Sequence, residues 1–146
     1  MFELIYCSVA KPEITMEDIS SILNTSRSFN KNNNITGCLL YHEGEFIQLL
    51  EGEKNSVQDL FSNIRRDKRH THVRLVNEEH VVGRAFENWN MAFYDLTSAE
   101  YSPIVKTLFI ENMMVFSDLA NKPTETAKLF WYMANQILNS NWPAES

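Results

Sequence analysis

Gln48 lies in Glu45-Phe46-Ile47-Gln48-Leu49-Leu50-Glu51-Gly52, a run that otherwise reads as a buried strand. A primary amide in such a place must find hydrogen-bond partners or cost roughly 1–3 kcal/mol. Side chains alternate faces along a strand, so Gln48 shares a face with Phe46 and Leu50. A similar strand opens the chain, Phe2-Glu3-Leu4-Ile5-Tyr6-Cys7-Ser8, and its buried-looking phenol is Tyr6. A phenol and an amide on neighbouring strands most commonly satisfy each other. The alternative is a polar pair aimed at a bound heterocycle. The amide carries an acceptor oxygen and a donor NH2 on one carbon. Rotation or tautomerisation therefore exchanges what it offers a neighbour.

Other polar residues fall at spacings that suit the edge of a planar ligand. Ser26 and Asn30 are i and i+4 on one helical stretch, and Asn63 and Asp67 are i and i+4 on a second. Each has an ordinary reading too: an asparagine near a helix end caps it, and Asp67 beside arginines makes a surface ion pair. Arg65-Arg66-Asp67-Lys68-Arg69-His70 is a dense basic cluster in an acidic chain. It reads equally as a helix C-terminus complementing the dipole or as a site for an anionic ligand tail. His70 and His72 have no Cys or carboxylate at metal-ligand spacing, so no metal site is expected. Glycine-rich phosphate loops, GxSxG and HExxH are absent from the sequence. Cys7 is a poor candidate nucleophile in mid-strand.

The elements that must position these residues follow from periodicity. The first strand covers 2–8. Thr15 and Asp18 resemble a capping box, and Ile19, Ile22, Leu23, Ser26 and Phe29 give a buried helical face over 16–30. Strands over 35–41 and 45–51 flank a hairpin tip at Glu43-Gly44, which sets Leu39 opposite Gln48. Val57, Leu60, Phe61 and Ile64 predict a helix over 54–68. Val73 begins a fourth strand, and 88–94 reads as a fifth. The order βαββαββ predicts an α+β, ferredoxin-like sheet with two helices on one face. The inner strands are apolar on both faces, as in Leu4 and Ile5, Leu39 and Leu40, Ile47 and Leu50. Two further amphipathic segments, 98–114 and 124–139, are predicted to cover the second face. The later one carries Ala127, Phe130, Ala134, Ile137 and Leu138 at helical spacing, with Thr124 as its cap.

Composition bounds the function. The 146 residues suit one compact unit, and 44% hydrophobic with 22% charged residues argues against disorder. A formal net charge of −6 argues against nucleic acid or an anionic membrane as the main partner. The sequence has no run of 18 apolar residues and no signal-type start. Cys7 and Cys38 both lie in strand-like runs and read as buried reduced thiols, so a cytoplasmic setting is expected.

With these pieces in order, the chain resembles BLUF domains, the blue-light sensors using FAD. The resemblance rests on Leu4-Ile5-Tyr6-Cys7-Ser8, Asn30 five residues before Ile35-Thr36-Gly37, Phe46-Ile47-Gln48-Leu49-Leu50-Glu51-Gly52, Asp67-Lys68-Arg69-His70 and Phe86-Glu87-Asn88-Trp89-Asn90-Met91. It covers about residues 1–96, with 97–146 as a two-helix extension like that of short BLUF proteins lacking an output enzyme. It implies FAD as cofactor, with FMN and riboflavin as alternative ligands. Tyr6 matches the electron donor, Gln48 the switching amide, and Asn30 the residue holding the flavin carbonyl edge. Ile22, Ser26, Ile64, Asp67, Arg69 and His70 match positions bordering the ring or its ribityl tail. Trp89 and Met91 match the pair on the fifth strand that carries the signal. Phe29 stands where some relatives have asparagine, and Asn63 where many have a basic residue.

The resemblance implies a photoreceptor acting through a homo-oligomer or a light-dependent protein partner, with no reaction catalysed. Competing readings are a small flavin-binding oxidoreductase and a ligand-free ferredoxin-like interaction domain. The sequence has no nicotinamide fingerprint to favour the oxidoreductase. The Tyr6, Asn30 and Gln48 set disfavours a ligand-free domain. The colour of the purified protein, and its response to blue light and to NADPH, separates the three.

Overall fold

The computed structural model describes residues 1–86, 92–95, 108, 110–111 and 124–138. Five strands form one sheet in the order β4-β1-β3-β2-β5. They are β1 (Phe2–Ala10), β2 (Thr36–His42), β3 (Glu45–Gly52), β4 (His70–His80) and β5 (Ala92–Asp95). β1 pairs antiparallel with β3 and β4, and β2 with β3; β5 runs parallel to β2. β1 and β2 are thus parallel to each other with β3 between them. This is the expected ferredoxin-like α+β arrangement, extended by β5.

Local chemistry explains the elements. Helix α1 (Met16–Asn32) starts at the predicted capping box, with Asp18 N donating to Thr15 Oγ1 at 3.1 Å and Thr15 N to Asp18 Oδ2 at 3.0 Å. It runs two residues past the expected end, because Asn33 Nδ2 satisfies the Phe29 carbonyl at 2.8 Å. Helix α2 (Lys54–Arg66) is capped by Glu53, whose carboxylate accepts from the amides of Asn55 and Ser56. It stops before the expected residue 68. Asp67 turns to extended backbone (ψ 123), and its carboxylate takes the Arg69 amide at 2.9 Å. β4 begins at His70, earlier than expected, because Val9 and Ala10 continue to pair with Thr71 and His70 past an irregularity in register.

The β2–β3 hairpin turns on Glu43 (φ 46) and Gly44 (φ 85), the two positive values a two-residue primed turn requires. Its register sets Leu39 opposite Gln48, as expected. Gly37 has a different necessity: a Cβ there would lie 2.0 Å from the Leu49 carbonyl oxygen.

The two faces of the sheet carry separate cores. Leu4, Tyr6, Leu39, Phe46 and Leu50 pack with Ile19, Leu23, Val57 and Phe61 of α1 and α2. Ile5, Cys7, Cys38, Leu40, Ile47 and Leu49 pack with Phe130, Trp131, Met133 and Ala134 of helix α3 (Glu125–Leu138). The second face is therefore covered from the C-terminal segment, as its apolar side chains demanded. Of the other predicted segment, 98–114, residues 108, 110 and 111 are described; they are helical, and Ile110 is buried in the same core. Both cysteines are free and buried, and burial pushes both thiols up.

Candidate functional site

A cleft of about 200 Å³ opens between α1, α2 and the sheet. Pockets that bury a whole drug-sized ligand typically run roughly 300–1,000 Å³, so this one suits a single flat ring system with the rest of a ligand outside. α1 contributes Ile22, Thr25, Ser26 and Phe29, at i, i+3, i+4 and i+7. α2 contributes Leu60, Asn63 and Ile64, and Asp67 continues the same spacing. Two helical stripes thus face each other above the strands. The sheet supplies Tyr6, Leu39, Phe46 and Gln48, with His70 at the start of β4 and Arg69 just before it.

Tyr6 and Gln48 are direct cross-strand partners, each 4% exposed. The Tyr6 hydroxyl donates to Gln48 Oε1 in a short hydrogen bond. Mutual satisfaction and a position lining the cleft therefore coexist. Burial first, and then the negative charge of Asp67, pushes the Tyr6 phenol up, so it stays protonated. Phe61 packs against the Tyr6 ring with centroids 5.4 Å apart.

The cleft's rim is polar. Asp67 and Arg69 form a two-pronged ion pair, Nε to Oδ1 at 3.0 Å and Nη2 to Oδ2 at 2.6 Å. Arg69 holds the Asp67 carboxyl below its usual range and is itself raised by that partner. His70 Nε2 lies 2.7 Å from the Ile64 carbonyl, which can only accept, so Nε2 carries the proton in the neutral ring. Nδ1 is then left to accept from Ser8 Oγ at 2.8 Å. Asn63 lines the cleft, but its oxygen accepts from Arg66 at 2.6 Å, leaving its NH2 to offer.

The structure brings together Tyr6, Ile22, Ser26, Gln48, Asn63, Ile64, Asp67, Arg69 and His70. Asn30 is fully buried at the end of α1 and is not among the lining residues. Its carbonyl accepts from the Ile35 amide at 2.8 Å and so ties α1 to β2. Trp89 and Met91 lie outside the described residues. Sequence reasoning left out Thr25, Phe29, Leu39, Phe46 and Leu60 as site residues. Phe29 and Leu60 could have been found by extending the Ile22–Ser26 and Asn63–Asp67 spacings by one turn, and Thr25 as the i+3 position within the first. Among the described residues no cluster could hold a metal ion, and no helix is long and apolar enough to cross a membrane.

The chain is 40% identical over 96 residues to the photoactivated adenylate cyclase subunit beta of Euglena longa, covering 66% of this chain and 11% of that one. It is 42% identical over 76 residues to the alpha subunit from Euglena gracilis, covering 52% and 8%. The chain thus spans about a tenth of the length of these curated relatives. Among solved structures, BlrB, a BLUF protein in its dark state, aligns with a TM-score of 0.68 at 27% identity over 91% of this chain and 94% of that one. A bacterial light-regulated adenylyl cyclase aligns with a TM-score of 0.66 at 31% identity, over 93% of this chain and 40% of that one. The family described as BLUF, sensors of blue-light using FAD, matches residues 1–92. With that match spanning more than half its length, the chain belongs to the BLUF family.

Proposed function

We propose that this protein is a blue-light photoreceptor whose cleft holds the ring of FAD. Residues 1–96 form the sensing domain, and residues 97–146 form an extension that passes its state to a protein partner or second subunit. The observation that carries the reading is the buried Tyr6–Gln48 hydrogen bond lining a cleft sized for one flat ring. Ile22, Leu39, Leu60 and Ile64 suit the ring's faces. Gln48, Ser26 and the NH2 of Asn63 suit its polar edges, with Asn30 behind them at the carbonyl end. Asp67, Arg69 and His70 suit the start of the tail.

Bound flavin absorbs blue light and becomes a strong one-electron oxidant. Tyr6 is the donor in this proposal. Its phenol is kept protonated by burial, and its proton already points at Gln48 Oε1. Loss of an electron from Tyr6 therefore has a proton acceptor in place. Gln48 then rotates or tautomerises as one electron and one proton return to Tyr6, exchanging donor and acceptor toward the cleft with no net oxidation. A donor added at a carbonyl that gains electron density on excitation lowers the excited state more than the ground state, so absorption moves to longer wavelength. The altered amide biases the fifth strand, with Trp89 and Met91 as the carriers, and through it the C-terminal helices. No substrate is consumed, and the proposal assigns no enzymatic reaction to this chain.

Gln48→Leu tests the reading, since it keeps approximate volume and removes both amide functions. The purified variant is expected to remain yellow and to lose the reversible red shift under blue light. A normal shift in Gln48→Leu would refute the assignment.

A further inference from the structure

The sheet face away from the cleft carries three glutamates in one cross-strand row. Glu3 stands opposite Glu51 on β3 and opposite Glu79 on β4. Side chains directly opposite on neighbouring strands have Cβ atoms roughly 4.5–5.5 Å apart, and like charges there repel.

The two outer carboxylates have donors. Glu51 is wholly buried and accepts from the Thr36 hydroxyl at 2.8 Å, the Ala85 amide at 2.8 Å and the Phe86 amide at 2.6 Å. Glu79 Oε1 accepts from the amide of Thr126 at 2.8 Å and its hydroxyl at 2.7 Å. Thr126 is in the first turn of α3, where the helix dipole favours an anion.

Glu3, between them, is 0% exposed, and neither of its oxygens has a partner of ordinary hydrogen-bond geometry among the described residues. The charges facing it are those of Glu51 and Glu79, with the Thr124 hydroxyl as the opposing influence. Arg84 directs its guanidinium to the Thr36 hydroxyl and to the carbonyls of Asn34 and Glu51, not to a carboxylate of the row. In the first turn of α3, Glu125 is exposed and Lys128 half-buried. Glu78 and His80 flank Glu79 and alternate to the opposite face of β4. Two carboxyl groups held by backbone and hydroxyl donors on either side of one dry carboxyl favour the arrangement in which the middle group holds a proton.

We propose that this row is a proton-holding clasp: Glu3 carries a proton at neutral pH, and its loss in alkaline solution drives Glu51 and Glu79 apart, loosening residues 84–86 and the start of α3 from the sheet. This goes beyond light sensing, because it makes the docking of the C-terminal helix sensitive to pH. Burial, then the neighbouring Glu51 carboxyl, pushes Glu3 up to about 8 from an ordinary value of 4.5. A raised carboxyl stabilises the folded state fully below its unfolded value and progressively less as pH rises to its folded one. The stabilisation that the proton gives the clasp therefore falls between about pH 4.5 and pH 8 and is gone above that range.

The test uses the full chain with its flavin, kept dark. Infrared spectra at neutral pH are expected to show a protonated carboxylic acid band that disappears in Glu3→Gln. Between about pH 5 and pH 8 the unfolding constant of the parent protein should rise relative to that of Glu3→Gln by up to tenfold per pH unit, the slope of one proton. Hydrogen exchange at Ala85, Phe86 and Thr126, corrected for intrinsic rate, should accelerate from about pH 5 to about pH 8 in the parent and level off above, and should not do so in Glu3→Gln. Absence of the band, or equal pH profiles in the two proteins, would overturn the proposal. If Glu3→Gln does not fold, Glu79→Gln decides. It keeps an acceptor for Thr126 and removes one charge, so the band should titrate at lower pH than in the parent; an unmoved midpoint would refute the clasp.

Discussion

Removing the Tyr6 hydroxyl and the Gln48 amide separately and together should give strongly non-additive stability losses. Both side chains are 4% exposed, and the phenol donates directly to the amide oxygen. Tyr6→Phe deprives Gln48 Oε1 of its phenolic donor inside a low-dielectric core, at a cost of about 1–3 kcal/mol. Gln48→Leu leaves the Tyr6 hydroxyl without its acceptor, at a similar cost. In the double variant both polar groups are gone and an apolar pair of similar shape takes their place, an exchange that can be nearly neutral. The double variant should therefore lose at least ~1 kcal/mol less than the sum of the singles, about fivefold in the unfolding constant. Urea titration followed by far-ultraviolet circular dichroism measures all four corners of the cycle, provided the slopes agree. Additivity within about 0.3–0.5 kcal/mol would show that the two groups do not act as a pair, and the photochemical proposal would lose its structural basis. The same variants carry an optical readout, since Tyr6→Phe should keep its colour and show longer-lived flavin fluorescence.

Gly37→Ala should destabilise the fold by about 1–3 kcal/mol or more, because its Cβ would meet a backbone oxygen at 2.0 Å; a thermal melt checks this. Phe130→Ala should cost about 3–5 kcal/mol and promote aggregation by uncovering the second sheet face, yet leave the flavin's light response in place; urea unfolding and difference spectra separate the two effects. FAD and riboflavin should bind within about fivefold of each other by calorimetry, since Arg69 is already paired with Asp67 and an exposed pair contributes ~0–1 kcal/mol. A much tighter FAD would make the basic cluster a phosphate site.

The fold was legible because its signals are local. Short apolar runs bounded by turn signals identified the inner strands, helical spacing identified α1 and α2, and apolar residues on both faces of β2 and β3 demanded a second cover, which α3 supplies in part. The element ends were less legible. The Asp67 turn and the Asn33 cap depend on side chains reaching backbone groups, which spacing does not report. Gln48 stood out as a polar misfit in an apolar strand. Glu3 and Glu51 are stronger misfits of the same kind, but a glutamate at a strand end reads as solvated until the register shows it buried. Asn30, read onto the ligand's edge by its spacing from Ser26, is buried at the end of α1 outside the lining residues, a distinction that helical spacing does not report.

The two rows share one ladder. Leu75, Tyr6, Gln48, Leu39 and Phe93 follow one another across β4, β1, β3, β2 and β5, so the Tyr6–Gln48 pair sits in a row that crosses the whole sheet. Glu79, Glu3, Glu51 and Thr36 form a second row three residues along β1, on the opposite face, roughly 10 Å away at about 3.4 Å per residue. A change at Gln48 meets β5 across one intervening residue, Leu39, whereas it reaches the glutamates only along the strands. The glutamate row in turn holds the amides of Ala85 and Phe86, which precede β5 in the chain. On the proposals above, light acts on the fifth strand laterally through the sheet and a proton acts on it from its N-terminal approach. Register ties these inputs together. Slipping β3 by one residue against β1 would break both pairs and carry each side chain to the other face, so the sheet can transmit small displacements only while its pairing is kept.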